Sequence, residues 1–473
     1  MSEVVPRWRW FWRSTVPWAT IAALGWLTQS AAITAIAPLL LVMGFLVSAR
    51  DSRGAGFDPF EPIWLLGALF AFEYLLLPVL DGLNPRAFAA LLGYEDLPAG
   101  QFQLACVISG LAFIALVFGY SRETFARPRS SDPGGFGDAP NGAILGLASA
   151  LLALGTLSVL AGVARSGVTV TPSTLLSAQM RNAVVRSFAG HGYLSVGFTL
   201  LMLGPPCLTL WASKVRTRWS WVAVAVASVL AIVMLAGLAG TRIGVLAILL
   251  GVPTVIHYRV RPIRMGQVLI IAAVAIAAAI AEATVRGTAS DAGLLAPFAT
   301  LSGTLDGFNH LVNALARIHS FQWGGTILGD VVLTYLPRAL WSGKPVIYGA
   351  VHAQQLVMPG LYQDVAGGST YPIGILAEGY VNFAVFGAVG IPLLVGALAR
   401  GLRRLTHPEL NDWGLLLIAW VLPNLIGLLR AVGAGLVQIA LGAVVLLPLV
   451  VSASPGRNGW IRLRRRSQQA AGP

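Results

Sequence analysis

The sequence predicts an all-α polytopic integral membrane protein of about twelve transmembrane helices, and three observations predict it. Of the 473 residues, 56% are hydrophobic and only 11% are charged, against about 25% charged in a soluble globular protein. No soluble core hides that much apolar surface, so lipid is the solvent. Apolar runs of spanning length recur along the chain, and the basic residues sort to alternate sides of them. In a soluble protein the formal net charge of +13 would suggest nucleic acid. Here the charges sit in short loops between apolar runs, where topology accounts for them.

The runs fall at 14–29, 31–48, 62–80, 101–120, 142–163, 192–212, 219–238, 243–258, 266–283, 372–399, 413–429 and 432–451. The stretch 14–48 is too long for one span of about 20 residues and tight for two. A hairpin is preferred there, because only an even number of crossings keeps the basic loops on one side. Ahead of it, Arg7-Trp8-Arg9-Trp10-Phe11-Trp12-Arg13 reads as an uncleaved signal anchor with an interfacial tryptophan belt, since no clean small-residue cleavage site follows. With 22 of the 32 Lys and Arg assigned inside, every inside loop is basic and both termini are cytoplasmic. The ten left outside or at the outer edge are Arg86, Arg165, Arg181, Arg186, Arg242, Arg286, Arg317, Arg338, Lys344 and Arg430.

The chain therefore reads as one membrane domain, 1–473, with a short external loop at 164–191 and a large one at 284–371. The large loop is far beyond ordinary connection length, and such loops are usually functional. Within it Leu305, Phe308, Val312, Leu315 and Ile318 recur at helical spacing, predicting an amphipathic helix near 304–320 that lies on the membrane face. The segment 128–140 is rich in Pro, Gly and Ser and reads as a loop. The tail 453–473 is basic, suited to anionic lipid. Cys106 and Cys207 both lie in apolar runs and offer no disulfide framework or zinc site.

Topology disfavours arginine outside, so each external one invites a reason. Arg181 lies in the first external loop, Arg242 follows Gly240-Thr241 at the mouth of a helix, and Arg430 ends another. Arg338 and Lys344 lie in Pro337-Arg338-Ala339-Leu340-Trp341-Ser342-Gly343-Lys344-Pro345. Guanidinium groups converging from separate loops suit a pyrophosphate at the outer surface; the alternative is that each reaches a lipid headgroup. Gly367-Gly368-Ser369-Thr370 could bring backbone N–H groups to an anion, or be a plain turn. Glu378 is more informative. It begins a helix expected to enter the membrane, where a carboxylate is costly and functional by default unless it pairs with an arginine; Tyr380 and Asn382 follow it. Glu73 carries no motif, and Glu282 has Arg286 four residues on as a local partner. No metal-ligand spacing, nucleotide-binding loop or dinucleotide fingerprint is present, so neither metal nor other cofactor is implied.

Several segments together resemble the O-antigen polymerases, or oligosaccharide repeat-unit polymerases. They are Asp58-Pro59-Phe60-Glu61-Pro62, Arg181, Gly240-Thr241-Arg242, the Pro337–Pro345 stretch, Gly367-Gly368-Ser369-Thr370, and Glu378-Gly379-Tyr380-Val381-Asn382-Phe383 leading to Gly387. The likeness is sharpest over 335–390. It implies a GT-C-like glycosyltransferase of the bacterial inner membrane that needs no metal. Such an enzyme moves a growing chain from undecaprenyl pyrophosphate onto a new lipid-linked unit at the periplasmic face. The family does not fix individual roles; the residues' own chemistry makes Glu378 and Arg338 the candidate catalytic residues. Arg181, Arg242, Lys344, Arg430, Trp341, Gly368, Ser369, Thr370, Tyr380 and Asn382 are the candidates for holding pyrophosphate and glycan. The implied partners are the undecaprenyl-pyrophosphate-linked oligosaccharide, membrane lipid and a polysaccharide chain-length regulator; the residues themselves point to no regulator. The rival enzyme is an O-antigen ligase, with the same donor. The rival from another class is a lipid-linked oligosaccharide flippase, which would place charge in a central cavity and show pseudo-symmetric halves.

Overall fold

The computed structural model describes residues 8–52, 58–76, 99–121, 139–167, 192–238, 242–264, 307–333, 340–345, 348–358, 373–406 and 411–453, with a few isolated positions between them. Among the described residues no strand occurs. Among the same residues seven stretches are long and apolar enough to cross a membrane: Ala31–Ala49, Gly100–Ser121, Asn141–Ser166, Val196–Val215, Arg218–Leu238, Ile375–Arg404 and Asp412–Arg430. This is a multi-pass membrane protein. Pro62–Leu76, Gly244–Arg259 and Val432–Leu447 are apolar but shorter, and most of the run at 266–283 lies outside the described residues. Among the described residues, therefore, seven of the expected stretches reach spanning length.

The N-terminal third begins with α1 (Arg9–Leu27), α2 (Ala31–Ile36) and α3 (Leu39–Ser52). Ser30 caps α2 by accepting the Ile33 N–H at 3.3 Å. The Phe11 N–H reaches Ser48 Oγ at 3.2 Å, so the start of α1 lies beside the end of α3, as a hairpin over 14–48 requires. Next come α4 (Pro62–Phe70), extended by a π turn over Ala71–Leu76, and α5 (Ala99–Ser121). Then follow α6 (Asn141–Ser166), α7 (Gly192–Val215), α8 (Arg218–Val233) and α9 (Arg242–Arg259). Small residues let these backbones approach, the usual device where lipid supplies no hydrophobic drive between helices. Gly155 of α6 has room for no more than a hydrogen against Gly197 and Leu201 of α7.

The C-terminal half holds α10 (Gly307–Arg317), α11 (Gly325–Leu328) with a π turn over Gly329–Leu333, and α12 (Gly349–Val357). It closes with α13 (Ile375–Thr406), α14 (Asp412–Arg430) and α15 (Val432–Ala453). α14 is the central post: nearly every residue from Gly414 to Leu429 is buried, against α4, α7, α9, α13 and α15. The amphipathic helix expected near 304–320 is α10. It packs against α5 and α13, with Phe308 edge-on to Phe102 at 5.5 Å, so its apolar stripe is covered by protein.

α13 is not one straight helix. Phe383 (φ −140°, ψ 26°) and Ala384 (φ 55°, ψ −148°) leave helical geometry. Gly379 and Gly387, about 12 Å apart in a continuous helix, instead touch backbone to backbone; a methyl on Gly379 would lie 2.6 Å from the Gly387 carbonyl oxygen. The chain doubles back into two antiparallel legs. The second runs down to Arg403, so the first, from Ile375 to Asn382, runs away from the Arg403 end.

At that end a charged lattice ties the helices together. Arg403 Nε donates to Glu61 Oε2 at 3.0 Å and its guanidinium lies 3.4 Å from Asp58. Tyr120 donates to Glu61 and Tyr258 to Asp58. Burial raises the Glu61 carboxyl above its usual range, against the lowering pull of Arg403. Asp412, fully buried, receives Lys214 Nζ at 2.5 Å, Arg259 at 3.1 Å and the Ala139 N–H at 3.0 Å. The Asp58–Pro62 motif, noticed in sequence only as a family mark, thus pins the ends of α5, α9 and α13.

Candidate functional site

The opposite end of the bundle gathers several buried polar groups around the N-terminus of α15. A helix N-terminus leaves N–H groups without intrahelical partners and carries partial positive charge. Two carboxylates answer them. Glu378, on the first leg of α13 and wholly buried, accepts the Val432 N–H through Oε2 at 2.7 Å. Among the described residues its Oε1 has no hydrogen-bond partner. Asp330, in the π turn after α11, accepts the Ala350 N–H at 3.2 Å on both oxygens and the Ala434 N–H, so it bridges the N-termini of α12 and α15. Gly349 (φ +59°) and Gly433 lie directly against it and leave no room for a side chain. Burial pushes the Asp330 carboxyl up to about 6, with the two N–H groups opposing. Both carboxylates thus sit on the N–H groups of the same helix start, Glu378 on Val432 and Asp330 on Ala434.

The first leg is held in place from several sides. Gly374 (φ +83°) donates its N–H to the Arg430 carbonyl at 3.0 Å. Asn382 is fully buried; its Nδ2 donates to Thr326 Oγ1 at 2.6 Å and to the Glu378 carbonyl at 2.8 Å. The Gln322 and Trp323 N–H groups donate to the Val381 and Asn382 carbonyls, both at 3.0 Å. Beside this lies a second acidic group: Glu73, buried in the π turn after α4, accepts the Gly307 N–H at 3.1 Å and is drawn to the Arg430 guanidinium.

The sequence-predicted residues divide accordingly. Glu378, Asn382 and Arg430 come together, but Asn382 has both amide protons committed to protein and acts as a strut. Tyr380 stands partly exposed, edge-on to Phe321 at 5.9 Å. Lys344 is buried in its own loop, donating to the Leu336 carbonyl at 3.1 Å and lying 4.9 Å from the Tyr348 ring centre; Trp341 of that loop is exposed. Arg242 opens α9 as expected, its side chain outside the described residues. Arg181, Arg338, Gly368, Ser369 and Thr370 also lie outside them. The leg bearing Glu378 leads away from the Arg403 end, because the chain reverses at Phe383–Ala384.

Sequence reasoning missed Asp330 and ranked Glu73 low. The signal for Asp330 was available: a lone carboxylate in the apolar run Ile327–Leu333 is as costly as Glu378. An apolar cavity of about 490 Å³ lies alongside, walled by residues that include Trp323, Ile327, Phe383, Leu394 and Val432. Glu378 is not on its wall, although Val432, whose N–H it binds, is. Among the described residues no three of His, Cys, Asp and Glu converge as metal ligands. No family model matches the chain, and no curated protein or solved structure matches it significantly. The site's chemistry must therefore be argued from the site itself: buried carboxylates at a helix N-terminus are groups able to hold or take a proton out of bulk water.

Proposed function

We propose that the protein is a metal-independent glycosyltransferase of the bacterial inner membrane. It polymerises undecaprenyl-pyrophosphate-linked oligosaccharide repeat units at the periplasmic face and releases undecaprenyl pyrophosphate. In this reading the chain crosses the membrane about twelve times in a GT-C-like arrangement. The lattice end with Arg403, Lys214 and Arg259 faces the cytoplasm, in keeping with the bias of basic residues. The observation that carries the reading is the carboxylate pair Glu378 and Asp330 at the α15 N-terminus, on the opposite end of the bundle; of the two, Glu378 lies within the stretch where the family resemblance is sharpest.

The reaction needs no more than these groups and a charge clamp. A sugar hydroxyl of the acceptor attacks the anomeric carbon of the donor. The bond from that carbon to the pyrophosphate oxygen breaks, and the hydroxyl proton passes to the Glu378 carboxylate. Negative charge grows on the departing pyrophosphate, where Arg338, with Arg181 and Arg242, supplies bidentate donors. Arg430 is held near Glu73 and places its carbonyl on Gly374, which fixes the start of the Glu378 leg.

The surface polysaccharide of a deletion strain tests the reading. Loss of long chains with a single repeat unit still transferred fits a polymerase. Loss of every repeat, including the first, would assign a ligase or flippase instead.

A further inference from the structure

We propose that Arg400 is the centre of a phosphate-binding site between α5 and the second leg of α13, at the Arg403 end of the bundle. The site lies at the other end from Glu378 and Asp330 and does not depend on the polymerase reading. Its ligand is a phosphate group, borne by a membrane lipid or free in solution.

Arg400 precedes Arg403 by about one turn, roughly 4.5 Å along the helix, and only 8% of it is exposed. Its Nε has no hydrogen-bond partner. Among the described residues no carboxylate lies within ion-pair distance of it. The guanidinium carbon stands 5.6 Å from the centre of the Tyr120 ring. A ring face draws a cation but offers its N–H groups no lone pair in their plane. The acids of the neighbouring lattice are committed elsewhere. Glu61 receives Tyr120 on one oxygen and Arg403 on the other. Asp58 receives the Phe60 N–H at 2.9 Å on one oxygen, and Tyr258 and Arg403 on the other. A buried charge is costly unless it is paired and hydrogen-bonded, and a buried polar group without a protein partner points to a bound ion or water.

Three features favour phosphate over water. The guanidinium is a planar fork that meets two phosphate oxygens at once, and water would leave its charge unmatched. The pocket is also rigid. Gly119, beside Tyr120, and Gly396, one turn before Arg400, have no room for a methyl against the Leu393 and Leu116 carbonyl oxygens. The two helices therefore meet backbone to backbone and hold ring and guanidinium in register, which lowers the cost of binding. Finally, the site stands at headgroup level. Trp12 of α1 lies edge-on to Phe118 of α5 at 6.1 Å, two residues from Tyr120. Trp10 beside it is exposed, with the Arg9 and Arg13 guanidinium groups 5.5 and 5.3 Å from its ring centre. Tryptophan with arginine marks a membrane–water interface, where basic pockets between membrane helices take anionic head groups.

The test uses the full-length protein in dodecyl maltoside and phosphate-free buffer. It is titrated separately with inorganic phosphate and with phosphatidylglycerol, and diacylglycerol serves as the lipid without phosphate. Native mass spectrometry counts bound lipid, and the melting temperature reports both probes. The wild type should bind saturably, and Arg400→Met should bind about tenfold more weakly, or about 1.4 kcal/mol. Saturation by phosphatidylglycerol alone assigns the site to a lipid headgroup; saturation by inorganic phosphate assigns it to free phosphate. Arg400→Lys keeps the charge and loses the fork, so it should also weaken binding, and it decides where the Met variant fails to fold. Arg404→Met removes a charge from the same helix end and should change binding little. No saturable binding by the wild type, an equal response to diacylglycerol, an affinity unchanged by either substitution of Arg400, or an equal loss in Arg404→Met would overturn the proposal.

Discussion

Replacing Gly387 by Ala tests the reversal in α13, on which the placement of Glu378 depends. In an unbroken helix the change removes a flexible glycine and stabilises by up to about 1 kcal/mol. In the hairpin the new methyl overlaps the Gly379 carbonyl and also meets Phe383 Cβ at 2.9 Å. The two legs must separate, yet the first is fastened by Gly374 to Arg430, Glu378 to Val432 and Asn382 to Thr326. Overpacking costs roughly 1–3 kcal/mol, and each hydrogen bond given up adds about 1 kcal/mol, so Gly387→Ala should destabilise by about 2–4 kcal/mol. Gly390, three residues further along the same leg, has nothing within 4 Å of an added methyl; Gly390→Ala is the internal control and should be neutral or stabilising. Thermal melting of the detergent-solubilised protein, read by fluorescence-detected size exclusion, compares the two directly. If Gly387→Ala melts as high as Gly390→Ala, the legs do not touch and the reversal is wrong.

Asp412→Ala leaves Lys214 and Arg259 facing each other without their shared anion. Because their side chains keep 18% and 21% exposure, the loss belongs at the low end of the buried-pair range, about 3 kcal/mol, and the same melting assay should show it. Asp330 binds its proton more tightly folded than unfolded, with its carboxyl near 6 against an ordinary 3.8. Stability from this group is therefore full below about pH 4 and falls as pH rises through 6, by at most about 3 kcal/mol. Asp330→Asn should flatten the melting profile between pH 4 and 7, and an unchanged slope would remove Asp330 as its source. Orientation is open to reporter fusions: one active only in the periplasm should work after Asp291 or Val351 and stay silent after Pro133, His407 or Arg457. A periplasmic signal at His407 would invert the topology.

Much of the fold was legible because lipid imposes a simple code. Apolar length marks helices, and that does not depend on tertiary detail. The N-terminal hairpin followed from that code, and α10 from the three- and four-residue spacing around Phe308. The reversal at Phe383–Ala384 was not legible. The run 372–399 is apolar throughout, and hydropathy cannot distinguish one long helix from two legs in contact; Gly379 and Gly387 were the only sign, eight residues apart. Glu378 stood out as a carboxylate in apolar sequence, and by the same rule Asp330 should have. What sequence could not supply was convergence. The two carboxylates lie 48 positions apart, and only the N-terminus of α15 brings them together. Asn382 shows the opposite failure: a polar residue beside a candidate catalytic group looked like a ligand contact, and its amide is used up on Thr326 and the Glu378 carbonyl.

The most direct test of the central claim is turnover of purified lipid-linked repeat units by the wild-type protein and by Glu378→Gln. Gln keeps an acceptor for the Val432 N–H, so the α15 cap and the melting temperature should persist. What it removes is the capacity to take a proton, worth roughly 10²–10⁴ in rate. The account predicts polymer from the wild type with release of undecaprenyl pyrophosphate, and a loss of that size in the variant at unchanged stability. A fully active Glu378→Gln would contradict the base role, and no polymer from the wild type would contradict the proposed function itself.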